Sequence, residues 1–122
     1  LAIMGSLLGA QNVVGIDNDP VAVEVAQANL ELNKTPSIRL STQTLQELGA
    51  FDLVIANILA PVLQELSGDL IQAVKTGGTL IMSGVTTTQR DDHEAWFQNT
   101  NALRHLGTRV SGDWICSVWE RV

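Results

Sequence analysis

The sequence predicts a three-layer α/β domain. Short β-branched runs alternate with stretches of helical apolar spacing, two prolines (Pro20 and Pro61) stand where helices would open, and the last two strand-like segments follow each other without room for a helix. The expected order is strand, helix, strand, strand, helix, strand, helix and a terminal antiparallel strand pair, in a single domain over residues 1–122.

Each element has a local reason. Leu1 to Leu8 reads as the end of a helix (Leu1, Ile3, Met4, Leu7 and Leu8 apolar), closed by Gly9 in the position favoured just past a helix. Asn12 to Asp17 is a strand whose Val13, Val14 and Ile16 form the near-continuous apolar run of a strand covered on both faces. Asp19 caps the next helix and Pro20 fits its first turn, where a missing backbone donor costs nothing. The predicted core stripe of this helix is Val21, Val25, Ala28 and Leu32, opposite Glu24, Gln27 and Glu31, with Asn33, Lys34, Thr35 and Pro36 as its end. Ser37 to Ser41 is a short strand, and Thr42 to Ala50 is irregular with one helical turn. Phe51 to Ile58 is the strongest strand signal in the chain. Pro61 opens a helix with the stripe Leu63, Leu66, Leu70 and Val74, which Gly77-Gly78 stops. Gly78 to Gly84 is the next strand, Thr86 to Thr88 a loop, and Gln89 to His105 a helix carrying Trp96 and Leu103. Arg109 to Trp114 and Ile115 to Arg121 complete the chain as an antiparallel pair.

Composition narrows the function. With 7 Lys+Arg against 13 Asp+Glu and a net charge of −6, the chain has little with which to neutralise phosphates, so direct nucleic-acid binding is not expected and a basic protein is the more natural partner. The single Cys116 can form no internal disulfide and no cysteine pair marks a zinc site, which makes a reducing cytoplasm the simplest setting. No apolar run reaches membrane-spanning length and no signal-peptide layout opens the chain. The chain opens on Leu1 inside an uncapped helical pattern, and so reads as cut into.

Two positions stand out as candidates. Asp17 ends the first strand, where open α/β sheets place ligands, and an acid there is positioned to accept hydrogen bonds from ribose hydroxyls; the bland alternative is a turn carboxylate. Asp19, two residues on, reads as a helix cap. Asn57 lies at the carboxyl end of the central strand, where its amide oxygen would face a donor such as a substrate amine, or simply help the chain turn. Ser83-Gly84 ends its own strand at the same edge and reads as a tight exit. His93 and His105 read as solvated surface positions, Cys116 as small core filling, and Trp96, Trp114 and Trp119 as packing anchors. No set of residues supports hydrolysis, covalent catalysis or a metal site.

Taken together, GIDNDPVAVEVAQANLELN, FDLVIANILAPVL and KTGGTLIMSG resemble the class I S-adenosylmethionine-dependent methyltransferases. The phrase ANILA at residues 56–60, where related amide and amine methyltransferases carry Asn-Pro-Pro-Tyr, is similar to the family that modifies large-subunit ribosomal protein eleven, as are SGV followed by Gln89 and GDW before the last strand. The resemblance runs over essentially the whole chain. It implies a Rossmann-like sheet ending in an antiparallel strand pair, with Asp17 holding the ribose hydroxyls of S-adenosylmethionine, Asn18 along the adenine side, and Asn57 with the Ile58 backbone holding the acceptor amine beside the sulfonium methyl. The implied reaction is methyl transfer to lysine or amino-terminal amines of a ribosomal protein by proximity and orientation. The amine must first lose its proton, to water in the absence of a visible base.

Two departures qualify the resemblance. The family's first strand and its Asp-x-Gly-x-Gly-Ser-Gly loop are expected before Leu1, as is an amino-terminal substrate-recognition domain, and only Ser41 and Thr42 stand where relatives place an adenine-contacting residue. The sequence thus reads as an amino-terminally truncated methyltransferase lacking the strand expected between those ending at Asp17 and Asn57, and the isolated chain is expected to bind the donor poorly. Two other readings share some of these features: a nicotinamide-dependent dehydrogenase, which does not account for ANILA, and a non-catalytic methyltransferase-like interaction module, which does not account for Asp17 and Asn57 together.

Overall fold

The computed structural model describes residues 1–35 and 37–122; Pro36, expected at the end of the second helix, lies outside the described residues. The chain divides into two compact units, Leu1–Glu47 and Leu48–Val122.

In the first unit, helix α1 (Ala2–Leu7) ends as expected. Gly9 adopts φ +102°, its N–H reaches Ser6 O, and the Ala10 N–H reaches Gly5 O, a paired closure that satisfies the last carbonyls of the helix. Strand β1 (Val14–Ile16) pairs in parallel with β2 (Arg39–Ser41), Val14 opposite Arg39 and Ile16 opposite Ser41. The ladder is extended at both ends, by Arg39 N–H to Val13 O and by Asp17 N–H to Ser41 O. Between β1 and β2 runs α2 (Pro20–Leu32), capped by the Asp19 carboxylate and opened by Pro20, as read from the sequence. Its buried face is not the predicted one. Leu30 is buried and Ala22, Val23 and Ala26 are partly covered, whereas Val21, Val25 and Leu32 are 64%, 58% and 79% exposed. The covered face lies about 145° round the helix from the expected stripe. Valines and alanines lie on both sides of the helix, so apolar spacing alone does not choose between the two faces. A single helical turn, α3 (Leu45–Leu48), appears where one was expected.

The second unit is built on a four-stranded sheet. In spatial order its strands are β3 (Phe51–Asn57), β4 (Val74–Thr86), β6 (Trp114–Arg121) and β5 (Leu103–Ser111). β3 and β4 run parallel, and the other two pairings are antiparallel. The helix predicted from Pro61 to Val74 is two short helices, α4 (Ala60–Glu65) and α5 (Ser67–Gln72), broken at Leu66 just before Ser67-Gly68. Val74 does not belong to the helical stripe. It is fully buried in β4 opposite Phe51, and the pairing then resumes at Leu53 opposite Thr79, so that residues 75–78 leave the ladder. The two glycines expected as a stop therefore make an excursion within a strand. Gly77 takes φ +79°, and a Cβ on Gly78 would lie 2.8 Å from Lys75 O and 2.9 Å from Asp52 O.

The last predicted helix is also shorter than expected. α6 covers Arg90–Gln98, and Leu103 and His105 belong to β5. The helix stops in Asn99-Thr100-Asn101, where the Thr100 hydroxyl donates to Phe97 O at 2.7 Å and Asn101 takes φ +54°. Such side chains compete with helical backbone bonding and tolerate the left-handed region. The terminal pair is confirmed, but its turn is Gly112-Asp113, between Ser111 and Trp114, with Gly112 at φ +56°. Trp114 thus opens β6 rather than closing the preceding strand.

The core of this unit is Leu63, Leu70, Val74, Leu80, Met82, Val85, Phe97, Ile115 and Trp119. Of the three tryptophans only Trp119 is a buried anchor; Trp96 and Trp114 are about half exposed, because their positions face away from the layer between sheet and helices. His93 is likewise not a surface residue. It sits fully buried on α6 with its ring 5.0 Å from that of Phe97, and its Nε2 lies 3.0 Å from the Ser117 hydroxyl, which also accepts the Trp119 indole N–H at 2.9 Å. His105 is half-buried, its Nε2 2.9 Å from the Thr108 hydroxyl.

Two outcomes follow from this core. Trp119→Ala should destabilise the protein by about 3–5 kcal/mol, the range for emptying a large aromatic site, whereas Trp114→Ala should cost less than about 1 kcal/mol; urea unfolding of both variants measures the difference. Burial holds the His93 imidazole below its ordinary value, against the pull of Glu94 and with a further downward push from His105. The unfolded chain therefore takes up this proton more readily than the folded one. The stabilising contribution is complete above the unfolded value of about 6.5 and is lost as pH falls through the folded value. Urea midpoints followed between roughly pH 8 and pH 5 should decline below about 6.5, and less steeply in His93→Gln; parallel profiles would show that His93 does not carry the effect.

Candidate functional site

The first unit offers a carboxylate at a strand end. Asp17 directly follows β1, its backbone N–H bonded to Ser41 O at 3.2 Å, and its side chain is exposed. One oxygen, Oδ1, accepts the Asp19 N–H at 2.9 Å, while Asp19 Oδ1 in turn accepts the Val21 N–H at 2.9 Å. The two acids are thus separated as expected: Asp19 caps α2, and Asp17 shapes the turn with one oxygen. The turn reading of Asp17 and the ligand reading are compatible, because a carboxylate has about four acceptor positions and the turn occupies one. Asn18 is exposed in the same turn. Ser41 is committed locally, its hydroxyl donating to Gln43 Oε1 at 3.1 Å and accepting the Gln43 N–H at 3.0 Å.

The second unit holds an amide at a strand end. Asn57 is the last residue of β3 and pairs in register with Ser83 of β4. The Ser83 hydroxyl donates to Asn57 Oδ1 at 2.9 Å, and the Ile58 N–H donates to Ser83 O at 3.2 Å. One lone pair of Oδ1 is therefore used, and the second is available to another donor. Beside them, Gly84 has φ +86°, and a Cβ there would lie 2.3 Å from Ile58 O. The Ser83-Gly84 pair read as a tight exit is in fact the partner of the Asn57-Ile58 backbone.

A cavity of about 600 Å³ opens beside this cluster, lined by Asn57, Ser83, Leu59, Val110, Trp114 and Cys116 among others. Cys116 is partly exposed on this wall instead of filling the core, because β6 buries the alternate residues Ile115, Ser117 and Trp119. Sequence reading missed the part played by Trp114, Val110 and Cys116 here. The signal was present in the Gly112-Asp113 turn, which sets the register that turns Trp114 and Cys116 to one face. The arrangement as a whole offers an amide with one hydrogen bond on its oxygen at the edge of a largely apolar hollow, suited to a small polar group on an aliphatic stem.

Comparison with known proteins identifies the family. The family model described as ribosomal protein L11 methyltransferase (PrmA) matches residues 1–121. The ribosomal protein L11 methyltransferase of Pelobacter propionicus is 41% identical over 123 residues, covering 99% of this chain and 40% of that protein. That of Myxococcus xanthus is 43% identical over 116 residues, covering 94% and 39%. The chain thus spans about 40% of the length of these curated relatives. Among solved structures, the ribosomal protein L11 methylase from Lactobacillus delbrueckii subsp. bulgaricus superposes with a TM-score of 0.91 at 30% identity, covering 98% of this chain and 63% of that one. The Rossmann-like α/β class expected from the sequence is borne out by this match, and the chain belongs to the ribosomal protein L11 methyltransferase family.

Proposed function

We propose that this protein is an S-adenosylmethionine-dependent methyltransferase of the cytoplasm that methylates lysine or amino-terminal amines of ribosomal protein L11, with residues 1–122 working as a catalytic domain. The observation that carries this reading is the Asn57 amide, held by Ser83 through one lone pair of Oδ1 and exposed on an apolar cavity. Membership of the family supports the substrate class. The net charge of −6 suits a basic partner, whose approach it would steer.

The residues present fit the donor in one respect that can be tested on the structure. Asp17 is exposed at a strand end with acceptor capacity beyond its turn bond, which is what two vicinal ribose hydroxyls require. In this reading Asp17 and Asn18 hold the nucleoside part, and S-adenosylmethionine when bound supplies an electrophilic methyl group on a positively charged sulfur. The remaining work falls to the acceptor side. Asn57 Oδ1 accepts an N–H of the amine, which leaves the nitrogen lone pair free for attack, and the Ile58 backbone borders the same position. An amine of reference pKa about 10.4 is charged in water, and desolvation against Leu59, Val110 and Trp114 favours its neutral form. The lining thereby contributes to deprotonation without a dedicated base.

Methyl transfer from labelled S-adenosylmethionine to purified ribosomal protein L11, using the protein expressed from its complete reading frame, tests the activity; absence of label on L11 removes the proposal. Asn57→Ala should lower kcat about a hundredfold and change donor Kd less than about twofold, the signature of lost alignment. Asp17→Ala should do the reverse, weakening donor binding at least about tenfold, as expected for removing a charged hydrogen-bond acceptor. Equal effects of both substitutions on both quantities would refute the division of roles.

A further inference from the structure

The Asn57 amide has no intrinsic reason to present its oxygen. The terminal torsion of an asparagine is broad and nearly two-fold, so oxygen and NH2 exchange places at little cost unless a neighbour distinguishes them. Only one of the two orientations serves an amine. With Oδ1 presented, the amine N–H finds an acceptor; with Nδ2 presented, either two donors oppose each other or the nitrogen lone pair is drawn into a hydrogen bond instead of being left for reaction.

Ser83 restrains that torsion. It is directly opposite Asn57 in the parallel ladder of β3 and β4, and its hydroxyl donates to Oδ1 at 2.9 Å. Its carbonyl accepts the Ile58 N–H at 3.2 Å, so that one residue fixes both the side chain of Asn57 and the backbone that follows it. The next residue completes the clamp. Gly84 leaves the pairing between β4 and β6, where the register shifts between Ser83 and Val85. At φ +86° it sits so close to Ile58 that a Cβ would lie 2.3 Å from the Ile58 oxygen, 2.8 Å from its carbonyl carbon and 3.0 Å from its nitrogen. An extra residue of this kind re-aims a strand end. Here it brings the β4 backbone against the peptide that carries the acceptor position.

We infer that Ser83, with Gly84 as its spacer, is a positioning residue for methyl transfer: it acts through Asn57, restraining the amide torsion at which Oδ1 accepts the substrate amine. This inference rests on the reading of Asn57 as the acceptor-side residue. Ser83 lines the same cavity, and the effect inferred here is the one transmitted through the Asn57 side chain.

The test is a double-substitution cycle in the protein expressed from its complete reading frame, with single-turnover methyl transfer to ribosomal protein L11 and donor Kd as readouts. Ser83→Ala should lower the transfer rate about tenfold, the equivalent of one ordinary hydrogen bond, with donor Kd unchanged. Ser83→Thr keeps the hydroxyl and should recover most of that loss. In an Asn57→Ala background, Ser83→Ala should have no further effect, because the side chain it orients is gone. A merely structural serine would instead give losses that multiply in the double variant. Undiminished transfer in Ser83→Ala beside a crippled Asn57→Ala overturns this inference and leaves the assignment of Asn57 standing. Undiminished transfer in Asn57→Ala overturns both.

Discussion

Strand β4 is the constraint on which the second unit depends. It is paired on both sides, parallel to β3 and antiparallel to β6, and Val74, Leu80, Met82 and Val85 along it are fully buried. A strand in that position has no freedom of register, since a slip of one residue would carry its buried side chains to the opposite face. The pairing of Asn57 with Ser83 is therefore inherited from the core. The apolar contacts of Leu80 and Met82 decide where a polar side chain stands at the strand end, although neither residue comes near it in function. Such coupling explains how a cluster of one amide, one hydroxyl and a glycine can be held without a dense polar network of its own.

Strand β6 shows a similar economy by alternation. One face carries Ile115, Ser117 and Trp119 into the layer beneath α6, and the other turns Trp114 and Cys116 to the cavity. The buried face is not purely apolar. The Ser117 hydroxyl meets both the Trp119 indole and the His93 ring, and among the described residues His93 Nδ1 finds no partner. A buried nitrogen without a partner is costly, and protonating the ring would add an uncompensated charge in the same place. The stability of this unit therefore has its pH-sensitive element on the face away from the candidate acceptor site. Substitutions on the two faces should sort into stability effects and transfer effects with little overlap.

Much of this was legible in the sequence, and the failures have physical causes. Local punctuation was reliable: Asp19-Pro20 opened α2, Gly9 closed α1, and the FDLVIAN run became β3. These signals depend on backbone geometry within a few residues. What failed depended on partners distant in sequence. Val74 fits a helical stripe at four-residue spacing from Leu70, and becomes a strand residue only because Phe51 stands opposite it. Leu103 and His105 continue a helical pattern until the pairing with Arg121 and Trp119 claims them. His93 looks polar in a polar helix, yet the ring fits under β6 because Ser117 satisfies Nε2. In each case tertiary pairing overrode local propensity.

The candidate site repeats that pattern in a more instructive form. Asp17 and Asn57 were visible because strand ends in α/β folds are where ligands bind, and a polar residue there stands out against its apolar run. Ser83 and Gly84 were equally visible as residues but not as partners, since nothing in a linear sequence says that β4 lies beside β3 in the register that makes Asn57 face Ser83. A glycine read alone is a turn; a glycine whose Cβ would fall 2.3 Å from the Ile58 oxygen is a statement about how closely two backbones must pass. The residue types of the candidate site are thus legible in the sequence, whereas their placement is carried by an alignment of strands. Restraining an amide side chain takes a single hydrogen bond, and the bond from Ser83 exists because the core has already chosen the register.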